Sequence, residues 1–125
     1  MTTEQLVLVV DDDDGMKTSL DALMRSLGYR TSTFRSAEEL LCSADAFTAD
    51  CIICDIEMRD GMSGISLAAH FSNSDVRRPV ILISAYVDKK IRDAGISAGA
   101  IAVLKKPFVG EALIEIIEAV LGRAD

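Results

Sequence analysis

Reactive side chains follow four separate apolar segments of the chain. The first segment ends in four consecutive aspartates, Asp11–Asp14, and the third ends at Asp55. The fourth ends at the hydroxyl of Ser84, and the fifth ends at the ammonium groups of Lys105 and Lys106. In an open parallel sheet, ligands bind beyond the carboxyl ends of the strands, where such groups converge. We therefore treat these residues as one candidate reaction site.

The chemistry of this set points to phosphoryl transfer. Neighbouring carboxylates repel one another and raise one another's pKa, so a cluster of three needs a cation. Oxygen-only ligands favour Mg²⁺, which keeps several waters and takes one or two carboxylates plus phosphate oxygens. Asp55 is then a candidate nucleophile that forms an aspartyl phosphate. Lys106 and the Ser84 hydroxyl would offset charge on the oxygens of the transferred group.

Three neighbouring charged residues have simpler interpretations. Aspartates at the start of a helix accept hydrogen bonds from free backbone N–H groups and suit the positive end of the helix dipole. We therefore assign Asp13 and Asp14 to the start of the first helix rather than to the ion. Alternation along a strand turns Lys105 away from the site, so it is predicted to be a surface charge.

Five short segments supply the strands that must position these groups. Four of them are continuous apolar runs, which is typical of parallel strands covered on both faces. The second has fewer hydrophobic residues and alternates weakly, which places it at an edge of the sheet. The predicted strands are Leu6–Val10, Arg30–Phe34, Cys51–Cys54, Pro79–Ser84 and Ile101–Leu104.

A helical pattern follows each strand. Gly28 ends the first helix, and Ser36 with Glu39 forms a predicted capping box that opens the second. The third and fourth helices are predicted over Gly64–Phe71 and Lys89–Ala98, and a leucine and isoleucine stripe marks the fifth. Five strand–helix units predict an α/β fold with a doubly wound parallel sheet and right-handed crossovers.

The composition is that of one globular domain over residues 1–125, half of it apolar and 26% charged. The formal net charge of −7 repels phosphate backbones and argues against direct nucleic-acid binding. No segment reaches the roughly 18 apolar residues of a membrane span. The amino terminus also lacks the basic start and long apolar stretch of a signal peptide. We expect a cytoplasmic domain without membrane contact.

The three cysteines are predicted to be unreactive thiols. Redox-active Cys-x-x-Cys pairs lie at a helix amino terminus, where the thiol pKa is lowered. Cys51 and Cys54 instead fall in an apolar strand, where residues three apart point to opposite faces. With Cys42 the count is odd, which argues against a disulfide framework.

Taken together, the motifs resemble the receiver domains of two-component response regulators over the whole chain. The matching residues are Val9-Val10-Asp11-Asp12, Asp55, Ser84 and Lys106-Pro107-Phe108. Ser36–Leu41 and Met62-Ser63-Gly64 resemble the FixJ-like branch of that family. The resemblance implies a CheY-like, flavodoxin-like (βα)5 fold whose five-stranded sheet has the order 2-1-3-4-5. It also implies a signalling module that catalyses only its own phosphorylation and dephosphorylation.

The resemblance assigns roles in phosphoryl chemistry. Asp55 matches the phosphoacceptor, Ser84 matches the switch hydroxyl, and Lys106 matches the lysine that binds phosphate. Tyr86, two residues past Ser84, borders the phosphate position in the family. With Glu57 it is a candidate for limiting the attack of water and so for tuning dephosphorylation.

The resemblance also implies a set of Mg²⁺ ligands. Asp11 and Asp12 match the acidic pair of the family, with Asp12 as a direct ligand and Asp11 acting partly through water. The acceptor Asp55 is a further ligand, and the backbone carbonyl of Glu57 completes the set.

Two features depart from the pattern of the family. Arg59 stands where the family usually has proline, and Gly64 lies nine residues past Asp55 instead of eight. The loop has therefore gained a residue, which we expect to bulge after Met58, with the charge of Arg59 able to reach the acidic pocket. Val103 stands where the family usually has an aromatic residue whose rotamer reports phosphorylation.

The resemblance further implies partners. A cognate histidine kinase or phosphotransfer protein would supply the phosphoryl group. Opposite charges on the fourth helix, fifth strand and fifth helix predict a homodimer that forms through this face after phosphorylation. The chain is either a stand-alone receiver or the receiver of a longer regulator, for which a helix-turn-helix DNA-binding effector is expected by analogy.

Three other functions are alternatives. A phosphatase of the haloacid-dehalogenase type uses similar residues, but it needs an Asp-x-Asp pair on its first strand and a cap domain. The nearest match is Asp55-Ile56-Glu57 on the third strand. A flavodoxin-type carrier needs a phosphate-cradling loop after the first strand, which is missing. A pseudo-receiver that only binds partners stays open because of the altered loop.

Overall fold

A computed structural model of the protein describes residues 5–59, 61–74, 78–106 and 110–122. Its centre is a five-stranded parallel sheet with the strand order β2-β1-β3-β4-β5. The strands are β1 (Leu6–Val10), β2 (Arg30–Phe34), β3 (Cys51–Asp55), β4 (Val80–Ser84) and β5 (Ala102–Lys105). The predicted fold class and strand order are confirmed, and β2 lies at an edge as expected.

The described residues also form five α-helices, each of which follows a strand, and one short 3-10 helix between the second α-helix and β3. The α-helices are α1 (Asp14–Ser26), α2 (Ala37–Leu41), α3 (Gly64–Ser72), α4 (Lys89–Ser97) and α5 (Gly110–Leu121). The 3-10 helix, Ala44–Phe47, was not predicted, because four residues are too few to show a helical period. None of the described helices is long and apolar enough to cross a membrane.

The core has two layers, one on each face of the sheet. Helices α1 and α5 cover one face, where they bury Leu20, Met24, Leu113 and Ile117 against Val7, Val9, Ile53 and Ile81. Helices α2 and α3 cover the other face, where they bury Leu40, Leu67 and Phe71 against Leu8, Ile52 and Leu82. Burial on both faces explains why the inner strands are continuous apolar runs.

Helix caps fix where the chain turns away from the sheet. Asp13 caps α1 by accepting a hydrogen bond from the backbone N–H of Met16, as expected for the acidic run. Ser36 caps α2 through the N–H of Glu39. The Glu39 carboxylate reaches back to the N–H of Arg35 rather than to that of Ser36, so the predicted capping box is displaced by one residue.

The cysteines match the prediction of unreactive thiols. Cys51 and Cys54 are buried on opposite faces of the sheet, and neither is in a disulfide. Burial raises the pKa of the Cys51 thiol to about 12 and also raises that of Cys54. A thiol with so high a pKa is not nucleophilic near neutral pH. Cys42 is exposed and free.

Candidate functional site

The predicted site residues meet at the carboxyl edge of the sheet. Asp55 is the last residue of β3, Ser84 is the last residue of β4, and Asp11 directly follows β1. Lys106 follows β5, and its backbone N–H donates to the Ser84 carbonyl at 2.7 Å. Parallel pairing of these strands therefore places the four side chains at one edge, as predicted.

Lys106 joins two buried carboxylates. Its Nζ lies 3.1 Å from Asp11 Oδ2 and 3.3 Å from Asp55 Oδ2. The side chain of Asp11 is fully buried, and that of Asp55 is 8% exposed. Burial opposes the charge of Lys106, but its hydrogen bond to Asp11 and the charge of Asp55 outweigh burial and raise the pKa of Lys106. The ammonium group therefore stays charged at neutral pH.

Asp55 is short of positive charge even with Lys106 beside it. Its pKa is raised to about 6, first by burial and then by the negative charge of Asp11. Lys106 and a backbone hydrogen bond from the N–H of Glu57, at 3.4 Å, act in the opposite direction but do not restore the usual value. Because the negative charge of Asp55 is only partly offset, binding of a further cation beside it is favourable.

A third carboxylate completes a group that fits a hard metal ion. Oxygen atoms of Asp11, Asp12 and Asp55 lie within 4.8 Å of one another. The donors are carboxylate oxygens, and two of the three residues are buried, which suits Mg²⁺ better than a soft metal. Asp14 stands apart from this group and pairs with Lys17, so its assignment to the helix start is confirmed.

The loop between β3 and α3, residues 56–63, contacts the acidic group through its backbone. The N–H of Arg59 donates to Asp12 Oδ2 at 3.0 Å. The charge of Arg59 is predicted from the sequence to reach this pocket, whereas the described contact of Arg59 with Asp12 is made by its main chain. The adjacent Asp60 lies outside the described residues, so the proposed bulge after Met58 stays a prediction.

Gly64 sets the close approach of α3 to the end of β3. A Cβ atom at this position would overlap the carbonyl oxygen of Asp55 and lie 2.9 Å from the Cα of Ile56. The N–H of Gly64 donates to the Ile56 carbonyl at 3.0 Å. The backbone that carries the candidate acceptor is therefore held directly against the first turn of α3.

Ser84 is fully buried and engages Glu57. Its Oγ lies 2.8 Å from Glu57 Oε1 and 2.8 Å from the Tyr86 carbonyl, and it accepts a hydrogen bond from the Tyr86 N–H at 3.2 Å. The Tyr86 ring is exposed, and its hydroxyl contacts Asp88. The sequence predicts that the Glu57 carbonyl binds the metal ion and that Glu57 lies beside the phosphate, but it does not predict the contact of the Glu57 carboxylate with Ser84. The feature of the sequence that could have indicated this contact is an acidic residue two positions past the acceptor.

Three further positions singled out in the sequence are Val103, Pro107 and Phe108. Val103 is buried in the core on β5, so the side chain that replaces the usual aromatic residue is a packing group. Pro107 and Phe108, which belong to the quoted motif, lie outside the described residues.

Comparison with known proteins decides the family. The family model described as the response regulator receiver domain matches residues 7–118. The chain belongs to this family. The receiver is similar to nodulation protein W of Bradyrhizobium diazoefficiens, with 30% identity over 122 residues, or 98% of this chain and 53% of that protein. The haloacid-dehalogenase and flavodoxin alternatives are therefore set aside.

Two more similarities refine the comparison. The transcriptional regulatory protein FixJ of Bradyrhizobium diazoefficiens is 28% identical over 125 residues, which cover all of this chain and 60% of that protein. The structure of the BeF3-activated DrrB receiver domain has a TM-score of 0.86 and 26% identity, covering 97% of this chain and 100% of that one. The FixJ-like character of this receiver is confirmed. The chain spans about half the length of the curated relatives it matches.

Proposed function

We propose that this receiver accepts a phosphoryl group on Asp55 from a histidine kinase, a phosphotransfer protein or a small phosphodonor. The observation that carries the proposal is the joint placement of Asp11, Asp12 and Asp55 around one point, with Lys106 bridging two of them. Asp55 ends β3 at the carboxyl edge of the sheet, and its side chain keeps 8% of its surface exposed. The altered loop, which kept a pseudo-receiver open, leaves this group intact.

The geometry suits a carboxylate nucleophile. An Asp55 oxygen forms the bond to phosphorus while the bond between phosphorus and the donor breaks, and its electron pair leaves with the donor's nitrogen or oxygen. Lys106 Nζ, within 3.3 Å of Asp55 Oδ2, is placed to contact the oxygens of the transferred group. Ser84 closes the other side of the site once it leaves Glu57.

The proposal includes Mg²⁺ as the resident ion. Asp11, Asp12, Asp55 and the backbone carbonyl of Glu57 would hold it, with Asp11 acting partly through water. When bound, the ion would supply the positive charge that Asp55 lacks and would neutralise the phosphoryl oxygens. Among the described residues, Lys106 is the one cation paired with the two buried carboxylates, which is why the residues fit a divalent ion.

Phosphorylation would serve as the switch of a signalling protein. A phosphoryl group shifts a population only to the extent that it binds one conformation better than the other. The Ser84 hydroxyl and Lys106 can make that difference, because Ser84 ends the strand that pairs with β3 and Lys106 Nζ contacts Asp55 directly. The names of relatives such as FixJ, a transcriptional regulatory protein, support a cytoplasmic regulator in which residues 1–125 act as one receiver domain that controls an effector.

The test is phosphorylation by acetyl phosphate in the presence of Mg²⁺, followed by intact-protein mass spectrometry. The wild type should gain one phosphoryl group that is labile in base, and Asp55→Asn should gain none, because an amide does not attack phosphorus. Asp14→Asn is the matched control, since Asp14 belongs to the same acidic run but lies outside the metal group. A wild type that stays unmodified would support the pseudo-receiver, and a modified Asp55→Asn would move the acceptor elsewhere.

A further inference from the structure

Glu38 of α2 contacts the loop between β3 and α3, although Glu38 and the contacted residue are 24 positions apart in the sequence. Its Oε2 accepts a hydrogen bond from the backbone N–H of Met62 at 2.7 Å. This hydrogen bond lies at the surface of the protein. The Glu38 carboxylate therefore holds the loop in place at Met62.

Gly61 shows how closely the loop packs against this carboxylate. A Cβ atom at Gly61 would lie 2.5 Å from Glu38 Oε2 and 2.6 Å from Oε1, so a larger side chain would push the carboxylate away. Gly61 also has a φ of +82°, a conformation that side chains disfavour. The hydrogen bond and the close contact are separate observations, and both place Glu38 against the same turn.

The same loop is held at a second point by the metal group. The N–H of Arg59 donates to Asp12 Oδ2, and Glu57, whose carbonyl is a proposed ligand, lies two residues before it. One carboxylate from the site and one from α2 thus hold backbone N–H groups three residues apart. Fixing residues 61–62 limits the positions open to Arg59 and Glu57.

We propose that Glu38 is a positioning residue for the Mg²⁺ site and acts through the backbone of this loop. The inference rests on the proposed function, because it presumes that Asp12 and the Glu57 carbonyl bind the ion. A loop that is already ordered loses less conformational entropy when the ion arrives, so the contact raises affinity without touching the metal. Removing one such hydrogen bond should weaken Mg²⁺ binding about three- to tenfold.

The experiment is calorimetric titration with Mg²⁺, together with amide hydrogen exchange at Met62 and Arg59. Glu38→Ala removes the acceptor, whereas Glu38→Gln removes the charge and keeps an acceptor oxygen. Glu39→Ala is the control, because Glu39 is the next acid in the same turn of α2 and contacts Arg35 instead of the loop. We expect weaker binding and faster exchange in Glu38→Ala, with Glu38→Gln close to wild type and Glu39→Ala unchanged.

Three results would overturn the inference. Faster exchange at Met62 with unchanged Mg²⁺ affinity would show that the contact is purely structural. Equal losses of affinity in Glu38→Gln, Glu38→Ala and Glu39→Ala would show a general effect of charge. A wild type that binds no Mg²⁺ would refute the proposed metal site and this inference with it, whereas loss of the Glu38 effect alone would leave the proposed function standing.

Discussion

The hydroxyl oxygen of Ser84 lies 2.8 Å from Oε1 of Glu57, so the candidate switch residue is engaged by the side chain two positions past the acceptor. If Ser84 contacts a phosphoryl group on Asp55, it must first leave Glu57. On that proposal, the Glu57 carboxylate would stabilise the unphosphorylated state.

Glu57→Ala should consequently strengthen the binding of beryllofluoride, a phosphoryl mimic, by about three- to tenfold, the equivalent of one hydrogen bond. Glu57→Gln keeps an acceptor for Ser84 and should lie closer to wild type. Glu39→Ala is the control, since Glu39 is an exposed acid whose carboxylate accepts from the Arg35 N–H instead of contacting Ser84. Equal gains for the Ala and Gln variants would assign the effect to repulsion by the charge of Glu57.

Lys106→Met should destabilise the metal-free protein by about 3 kcal/mol, because it leaves the buried carboxylates of Asp11 and Asp55 without their cation. Mg²⁺ should recover most of that loss, since the ion can neutralise the same oxygens. Urea unfolding in EDTA and in Mg²⁺ measures both quantities, with the exposed Lys105→Met as control. A loss of stability that Mg²⁺ does not reduce would contradict the proposed metal group.

The raised pKa of Asp55 predicts a pH-dependent stability in EDTA. The folded protein holds its Asp55 proton up to about pH 6, whereas the unfolded chain releases it near the usual value of 3.8. Stability from this residue is therefore lost as pH rises between these values, by about 2 kcal/mol after allowance for solvent screening.

Asp55→Asn carries no such charge and should be more stable than wild type near neutral pH. The difference in free energy of unfolding should shrink as pH falls toward about 4. Urea unfolding of both proteins across this range measures it, and titrating groups that do not contact Asp55 cancel in the difference. A constant difference at all pH values would show that Asp55 has an ordinary pKa.

Gly64→Ala should lower the free energy of unfolding by more than about 2 kcal/mol, because its Cβ meets backbone that cannot move aside. Mg²⁺ affinity should fall with it, since the clash displaces the carbonyl of Asp55. Gly110→Ala is the control at the first residue of α5, where no heavy atom lies within 4 Å of the added Cβ. Thermal unfolding of the two variants gives the comparison, and similar melting temperatures would refute the packing argument.

The homodimer predicted to form through α4, β5 and α5 stays a prediction. Lys89 already pairs with Asp93 of α4, and Arg92 donates to the Val103 carbonyl, so Lys90 is the better cation to probe for an intermolecular pair. Beryllofluoride should increase the sedimentation coefficient of the wild type, and Lys90→Glu should reduce this increase through like-charge repulsion with the acids of α5. A single species under all conditions would argue against dimerisation through this face.

Much of the fold follows from patterns that act locally. The inner strands are recognisable because both of their faces are buried, and the site residues because each one ends a strand or follows it within two positions. The contacts of Glu38 with Met62 and of Glu57 with Ser84 join residues that are 24 and 27 positions apart. Which carboxylate reaches which partner depends on the packing of α2 and the course of the loop, and neither leaves a periodic signal in the sequence.

The ion pairs of Lys106 with Asp11 and Asp55 affect how the protein folds before it receives any signal. The cation that balances these two acids is part of the polypeptide, so a newly made chain carries its own counterion and can fold where free Mg²⁺ is scarce. On the proposed function, Mg²⁺ would bind later, beside the carboxylates of a protein that has already folded. Response to a signal would then require Mg²⁺, whereas folding would not.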